Sequence, residues 1–135
     1  MPKAAMDIGT NSTRLLIVED VGGAIPRVLH RDIRVTRVGE GMGKSGGYIS
    51  EQAIDRTVAA LKDYASQLQA FQVTEAFLVA TAAVREACNK EVLTERVLAE
   101  TGLRVRVIPG EEEARLSYLG VVRGLGGGSC QGHGY

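Results

Sequence analysis

The first residues of this sequence that could do chemistry form a short polar turn between two apolar runs. Glycine lets a backbone approach a ligand closely, and consecutive N–H groups in a tight turn form a concavity that binds anions. A carboxylate at the end of the preceding strand could hold a metal ion or a metal-bound water. A plain β-hairpin, in which the polar side chains only satisfy the turn, explains the pattern equally well. The residues concerned are Asp7, Gly9, Thr10, Asn11 and Ser12.

A second candidate is the acidic triplet Glu111-Glu112-Glu113, which directly follows Gly110. Acidic side chains in the first turn of a helix interact favourably with the helix dipole, by about 0.3–1 kcal/mol each. Three adjacent carboxylates exceed that need, and a glutamate at a strand-to-helix turn could act as a general base. The local pattern favours the structural role and leaves the catalytic one open.

Two basic features complete the set of candidate residues. Arg85 follows another predicted strand end, and a guanidinium can bind phosphate through two parallel hydrogen bonds; a solvated or ion-paired arginine explains this residue as well. Gly43-Lys44-Ser45 shares residue types with a nucleotide-binding P-loop, but the spacing after a strand is wrong. We therefore interpret residues 39–47 as a flexible, glycine-dense loop.

The elements that must position these residues follow from the spacing of apolar residues. An antiparallel meander is followed by strand–helix units, so we predict an α/β fold with a mixed five-stranded sheet and helices on its faces. The fourth strand is apolar throughout and is expected to be central, and irregular arginine spacing in the third suggests a bulge or bend. The predicted strands are Ala4–Ile8, Thr13–Glu19, Arg27–Val38, Ala76–Thr81 and Leu103–Ile108. The predicted helices run from the N-cap Ser50 to about Gln69, from about Asn89 to Thr101 before Gly102, and from Glu111 to about Val122.

The composition limits the classes of function. A chain of 135 residues, 44% hydrophobic and 24% charged, fits one domain with a core. Its 16 Lys and Arg balance 16 Asp and Glu, so it lacks the basic excess typical of nucleic-acid binders. Apolar runs are too short to span a membrane, no secretory signal is apparent, and Cys88 and Cys130 form no metal or redox motif. We expect a cytoplasmic protein without nucleic-acid or membrane partners.

Taken together, the ordered motifs resemble the exopolyphosphatase / guanosine pentaphosphate phosphohydrolase (Ppx/GppA) family of the actin-like ATPase superfamily. The resemblance runs from residue 4 to about residue 125, and its last segment is the most specific. It implies an RNase H-like (actin-like ATPase) subdomain, the first of two in a larger lobe. The matching segments are Asp7–Ser12, Arg37–Met42, Ala80–Arg85 and Pro109–Val121.

The resemblance also implies a role for each candidate residue. By its place in G-x-E-E-A-R, Glu113 matches the family's catalytic glutamate, which orients and deprotonates the attacking water, and Glu112 matches its less critical neighbour. Residues Gly9–Ser12 match the first phosphate-binding loop. The resemblance further implies that Asp7 lies near the phosphate and a Mg²⁺ ion, and that Arg85 contacts the phosphates of the substrate.

The implied reaction is hydrolysis of the terminal phosphate of linear polyphosphate or guanosine pentaphosphate, and the sequence does not separate these substrates. A full-length form is expected to be a homodimer. The first turn is shared with ATP-dependent kinases of the superfamily, so a kinase-like fragment is one alternative, although the G-E-E-E-A-R segment argues against it. The other alternative is a non-catalytic, truncated fragment that binds phosphate or nucleotide.

The resemblance ends near Gly126, where family members continue into D-I-G-G-G-S-T-E. We therefore expect residues 1–125 to form the family's N-terminal subdomain and residues 126–135 to be a disordered tail outside the family pattern, with His133 a tail residue rather than a ligand. A shift of one nucleotide would permit a strand here, so we interpret the tail as out-of-frame sequence, with a natural or deliberate truncation as the alternative. Without the second phosphate loop, the isolated chain is expected to be inactive.

Overall fold

The computed structural model describes residues 1–19 and 26–108. In these ranges a meander of strands comes first, and strands then alternate with helices. The strands are β1 (Pro2–Ile8), β2 (Ser12–Glu19), β3 (Arg27–Val35), β4 (Glu75–Ala80) and β5 (Val105–Val107), and the helices are α1 (Met42–Ser45), α2 (Glu51–Ala70), α3 (Ala82–Glu86) and α4 (Lys90–Thr101).

The strands form one five-stranded mixed sheet in the order β3-β2-β1-β4-β5, which confirms the predicted α/β architecture. β2 pairs antiparallel with both β1 and β3, whereas β4 is parallel to β1 and to β5. β4 is an interior strand, as predicted, and β1 is the middle strand of the five. β1 is buried from Ala4 to Ile8, whereas β4 begins with exposed Glu75 and Ala76 and is buried at its carboxyl end.

The two long helices, α2 and α4, pack against one face of the sheet. Every second residue of β1 and β2 points into the core that they share, as expected for strands with one face toward a helical layer. In α2 the apolar residues Ile54, Val58, Leu61, Ala65 and Leu68 follow at helical spacing, and all are buried there except Ala65, which is partly exposed. In the described part of the chain, neither these helices nor the short ones are long and apolar enough to cross a membrane. The shared core includes Met6, Ile8, Leu15, Ile17, Ile54, Val58, Leu61, Leu68, Leu93 and Val97.

The predicted start of α2 and the predicted end of α4 are confirmed by their caps. The side chain of Ser50 accepts a hydrogen bond of 3.0 Å from the backbone N–H of Ala53, which satisfies a free donor of the first turn of α2. Gly102 ends α4 with a φ of 77°, and its N–H donates to the carbonyl of Leu98 at 2.9 Å. Glycine suits this position because a left-handed backbone is costly for residues with a Cβ.

The third strand contains the predicted bulge and ends earlier than predicted. Ile17 pairs with His30 and Val18 with Val28, so Leu29 is the extra residue on β3. The strand ends at Val35 rather than Val38, since the next residues turn their N–H groups toward the first hairpin, as described below.

The glycine-dense segment that was predicted to be a flexible loop contains the single helical turn α1. Gly41 precedes it and Gly46 follows it, with φ of 77° and 79°. These left-handed caps allow a helix of four residues to start and stop within the loop. The sequence showed the glycines but not the turn between them, because Met42–Ser45 is too short for a periodic pattern.

A buried polar contact joins α2 to the first hairpin. The hydroxyl of Tyr64, whose exposed fraction is 0%, donates to the carbonyl of Thr13 at 2.7 Å. The Oγ1 atoms of Thr13 and Thr36 lie 2.7 Å apart and are also buried. The hairpin, the end of β3 and α2 are thus tied together beneath the edge of the sheet.

We predict that Tyr64→Phe lowers the free energy of unfolding by about 1 kcal/mol, because it deletes a buried hydrogen bond and leaves its acceptor short of a donor. Urea denaturation of the chain measures this effect. Tyr48→Phe is the matched control, since Tyr48 is 51% exposed and the same deletion there should leave stability unchanged. Equal stability of the two variants would contradict the prediction.

Candidate active site

The candidate site lies where the three parallel strands end. Ile8 of β1 pairs with Ala80 of β4, and Ala80 pairs with Val107 of β5, so the strands end level with one another. Neighbouring strands lie about 4.8 Å apart, which places the ends of β1 and β5 roughly 10 Å apart. Open α/β sheets bind ligands at this carboxyl edge. Residues that follow these strands therefore start within reach of one small anionic ligand.

The predicted phosphate turn follows β1. The N–H of Gly9 donates to the carbonyl of Ser12 at 2.9 Å and closes the turn, while Thr10 and Asn11 lie exposed at its tip. A Cβ at position 9 would lie 3.1 Å from the carbonyl oxygen of Ser12, which is tighter than ordinary contact. Glycine thus keeps the turn tight, with a solvent-facing tip as an anion-binding turn requires.

The loop at residues 36–40 holds the backbone of this turn through hydrogen bonds. The N–H groups of Thr36 and Arg37 donate to the carbonyl of Asn11 at 3.1 and 3.0 Å, and that of Gly39 donates to the carbonyl of Thr10 at 3.2 Å. A Cβ at position 39 would lie only 2.8 Å from Cγ2 of Thr10, so any larger residue here would force the side chain of Thr10 to shift. In the sequence, this loop stood out only because Arg37–Met42 matches the family. Gly39 is the local feature that indicates a close contact with another backbone segment.

Asp7, the predicted metal residue, is buried beside the turn and forms an ion pair. Its exposed fraction is 6%. Arg14, its partner in the β1–β2 ladder, donates from Nη2 to Oδ2 at 2.7 Å and from Nε to Oδ1 at 3.2 Å. Sequence reasoning missed this pair, which the hairpin register creates by placing the two residues opposite each other.

The donor set near Asp7 suits a metal held through water. Among residues 1–19 and 26–108 there is no group of three or more His, Cys, Asp and Glu side chains that could hold a metal ion. Mg²⁺ usually keeps several waters and binds one or two carboxylates plus substrate phosphates. The Asp7 carboxylate has lone pairs left after the bidentate contact with Arg14, because an ionised carboxylate offers about four acceptor positions. These residues therefore fit an indirect metal contact.

Arg85 lies in α3, directly after β4, and its side chain reaches toward β5. Nη1 lies 3.5 Å from the carbonyl oxygen of Ile108, the residue that follows β5, and Nη2 lies 3.3 Å from Oε2 of Glu86. The side chain of Arg85 is 31% exposed, so part of the guanidinium faces solvent. A guanidinium spans the ends of two strands at the same edge as the phosphate turn.

The structure thus brings the Gly9–Ser12 turn, Asp7 and Arg85 to one edge of the sheet. A hydrogen bond of 3.3 Å from the N–H of Thr81 to the carbonyl of Ile8 joins the segments that carry them. Glu112 and Glu113 lie outside the described residues, as do the helix predicted from Glu111 and the tail predicted at residues 126–135. Their predicted roles stay predictions.

Comparison with known proteins adds independent evidence. The model of the Ppx/GppA phosphatase family matches residues 16–131. The chain is 43% identical over 132 residues to exopolyphosphatase 2 of Mycobacterium tuberculosis, an alignment that covers 91% of this chain and 41% of that protein. It is 36% identical over 124 residues to the guanosine-5'-triphosphate,3'-diphosphate pyrophosphatase of Photobacterium profundum, with coverage of 92% and 24%.

Solved structures agree with these sequence matches. The crystal structure of the Aquifex aeolicus member of the Ppx/GppA family superposes with a TM-score of 0.81 at 38% identity. The match covers 90% of this chain and 39% of that one. The chain therefore spans less than half the length of each of these proteins, and what they do as whole proteins is a separate question from what these residues contribute.

Proposed function

The chain belongs to the Ppx/GppA phosphatase family, and from this premise we propose that it supplies one wall of a site that hydrolyses the terminal phosphate of linear polyphosphate or guanosine pentaphosphate. The α/β RNase H-like fold provides the framework. The observation that carries the proposal is the level ending of β1, β4 and β5, which puts the phosphate turn and Arg85 at one edge. The two named relatives account for the two substrate classes.

Each residue has a proposed task in this reaction. The Gly9–Ser12 turn holds the terminal phosphate by hydrogen bonds, and Arg85 binds phosphate oxygens and stabilises charge as the phosphoryl group transfers. Glu113 orients the attacking water and accepts its proton. Asp7 would hold Mg²⁺ through water, and that ion would neutralise part of the phosphate charge.

Arg85 can change partners at little cost. Its present carboxylate partner, Glu86, has a side chain that is 68% exposed. Exposed ion pairs are worth about 0–1 kcal/mol, so a phosphate with two or more charged oxygens can replace Glu86 on the guanidinium. The other contact, to the carbonyl of Ile108, is long enough at 3.5 Å to be lost without much penalty.

The non-catalytic alternative applies to these 135 residues in isolation. They align with only 41% of the length of the exopolyphosphatase relative, so we propose that the isolated chain binds phosphate with little or no turnover. An open phosphate loop leaves the reacting phosphate in contact with water, and the preorganised electrostatic field is weakened.

The proposal also includes a cytoplasmic location and a homodimer for a longer form of the protein.

Phosphate release from polyphosphate and from guanosine pentaphosphate, each with Mg²⁺, tests the proposal. The samples are the chain itself and a chimera in which residues 1–125 replace the aligned segment of the M. tuberculosis exopolyphosphatase 2. We expect the chimera to hydrolyse at least one substrate and the chain alone to bind tripolyphosphate without turnover. A folded chimera that is inactive on both substrates would overturn the hydrolase proposal, and turnover by the pure chain would overturn the partial-site proposal.

A further inference from the structure

We propose that Arg56, on α2, is a positioning residue for the phosphate turn. It does not lie in the turn or at the end of a parallel strand, and neither the motifs nor the family resemblance pointed to it. Its contacts reach the turn through the loop at residues 36–40. The proposal rests on the proposed function of the Gly9–Ser12 turn.

Arg56 binds the loop through three hydrogen bonds. Nε donates to the carbonyl of Thr36 at 2.9 Å, and Nη2 lies 3.4 Å from the carbonyl oxygen of Arg37 and 2.8 Å from Oε1 of Glu40. The N–H groups of Thr36 and Arg37 are the donors to the carbonyl of Asn11. The peptide unit between Thr36 and Arg37 therefore has its carbonyl on Arg56 and its N–H on Asn11 of the phosphate turn.

The backbone of Arg37 makes this arrangement sensitive to Arg56. Arg37 has a φ of 50°, a left-handed conformation that a residue with a long side chain adopts rarely. Its N–H donates to the carbonyl of Asn11, and its own carbonyl accepts from the N–H of Glu40 at 3.0 Å in addition to the 3.4 Å contact with Arg56. Without Arg56 the carbonyl of Thr36 loses its 2.9 Å hydrogen bond, and the peptide unit between Thr36 and Arg37 can rotate as Arg37 relaxes to a negative φ. That rotation would turn its N–H away from Asn11 and loosen the tip of the phosphate turn.

Arg56 is not needed to fill the core. Its side chain is 38% exposed, so removing it leaves no buried cavity. The helix is held in place by buried residues such as Ile54, Val58 and Leu61 and by the hydrogen bond from Tyr64 to Thr13. Loss of Arg56 should therefore act on the loop and the turn rather than on the whole fold.

The test compares the chain with its Arg56→Ala variant by two measurements. Calorimetric titration with tripolyphosphate and Mg²⁺ should show an affinity roughly tenfold weaker for the variant, a typical size for coupling through an intermediate element. Amide hydrogen exchange by NMR should show faster exchange at Arg37 and Gly39, with little change in the core of α2. The urea midpoint should stay close to that of the wild type.

Three variants separate positioning from charge and from general destabilisation. Arg96→Ala is the matched control, because Arg96 on α4 also binds carboxylates, but those of Asp55 and Glu100 on the two long helices rather than groups of the loop. It should leave affinity and exchange unchanged. Glu40→Gln should have a small effect, since the carbonyl acceptors remain. Arg56→Lys should recover only part of the affinity, because an ammonium lacks the fork that reaches both carbonyl groups.

These measurements distinguish a failure of the positioning proposal for Arg56 from a failure of the proposed function of the phosphate turn. If the wild-type chain binds no tripolyphosphate, the phosphate site fails, and the exchange at Arg37 and Gly39 still decides the positioning role. If the wild type binds and Arg56→Ala binds equally well, the positioning proposal is overturned. It is also overturned if Arg56→Lys behaves like the wild type in both measurements, since charge alone would then explain the effect.

Discussion

Replacing Glu113 with glutamine is expected to lower phosphate release by about 10³-fold, the middle of the range for loss of a general base, with substrate affinity close to that of the wild type. Glutamine has nearly the same shape and can still orient a water, but it cannot accept the proton of that water. The phosphate ligands are untouched, so binding should persist. Steady-state kinetics of the exopolyphosphatase chimera, with polyphosphate binding measured separately, give both quantities.

The acidic triplet supplies its own controls for this prediction. Glu111→Gln removes one charge from the same short segment and should leave turnover near that of the wild type. Glu112→Gln should have an intermediate effect, in keeping with the less critical neighbour that the resemblance implies. If all three variants lose turnover equally, the charge of the cluster matters rather than a single base. If Glu113→Gln keeps near-normal turnover, the general-base role is wrong.

Much of the fold could be predicted because its signals are local. Strand positions followed from apolar runs, and the ends of α2 and α4 followed from Ser50 and Gly102, whose capping roles depend only on nearby residues. The order of strands is not local. β1 and β4 both have neighbours on two sides, and no feature of their short sequences indicates which of them takes the middle position.

The site shows the same division between local and tertiary information. The Gly9–Ser12 turn could be predicted from its residue types, and Arg85 from its place after a strand. The pair formed by Asp7 and Arg14 depends on the register of a hairpin, and the contact of Arg56 with the loop depends on the packing of α2. Isolated charged residues carry no pattern that names their partners, so these contacts became visible only in the folded chain.

Removing the guanidinium of Arg85 should have the second large effect. Arg85→Ala in the exopolyphosphatase chimera is expected to lower turnover by about 10²-fold or more, the usual loss when a preorganised donor to developing charge is deleted. Unlike Glu113→Gln, it should also weaken substrate binding, because the guanidinium contacts phosphate before and during transfer. The split between kcat and KM therefore distinguishes the two residues: the glutamine variant changes kcat alone, and the alanine variant changes both.

The geometry of Arg85 decides which variants test this role. Arg85→Lys keeps the charge but loses the planar fork that reaches from α3 toward Ile108, so it should restore only part of the activity. Arg104→Ala is the charge-matched control, because Arg104 is exposed and precedes β5, at the opposite end of that strand from Ile108. Glu86→Gln frees Arg85 from its present partner and should leave binding equal or stronger. Normal kcat and KM in Arg85→Ala would show that phosphate is held without this arginine, and the proposed role of Arg85 would then be wrong.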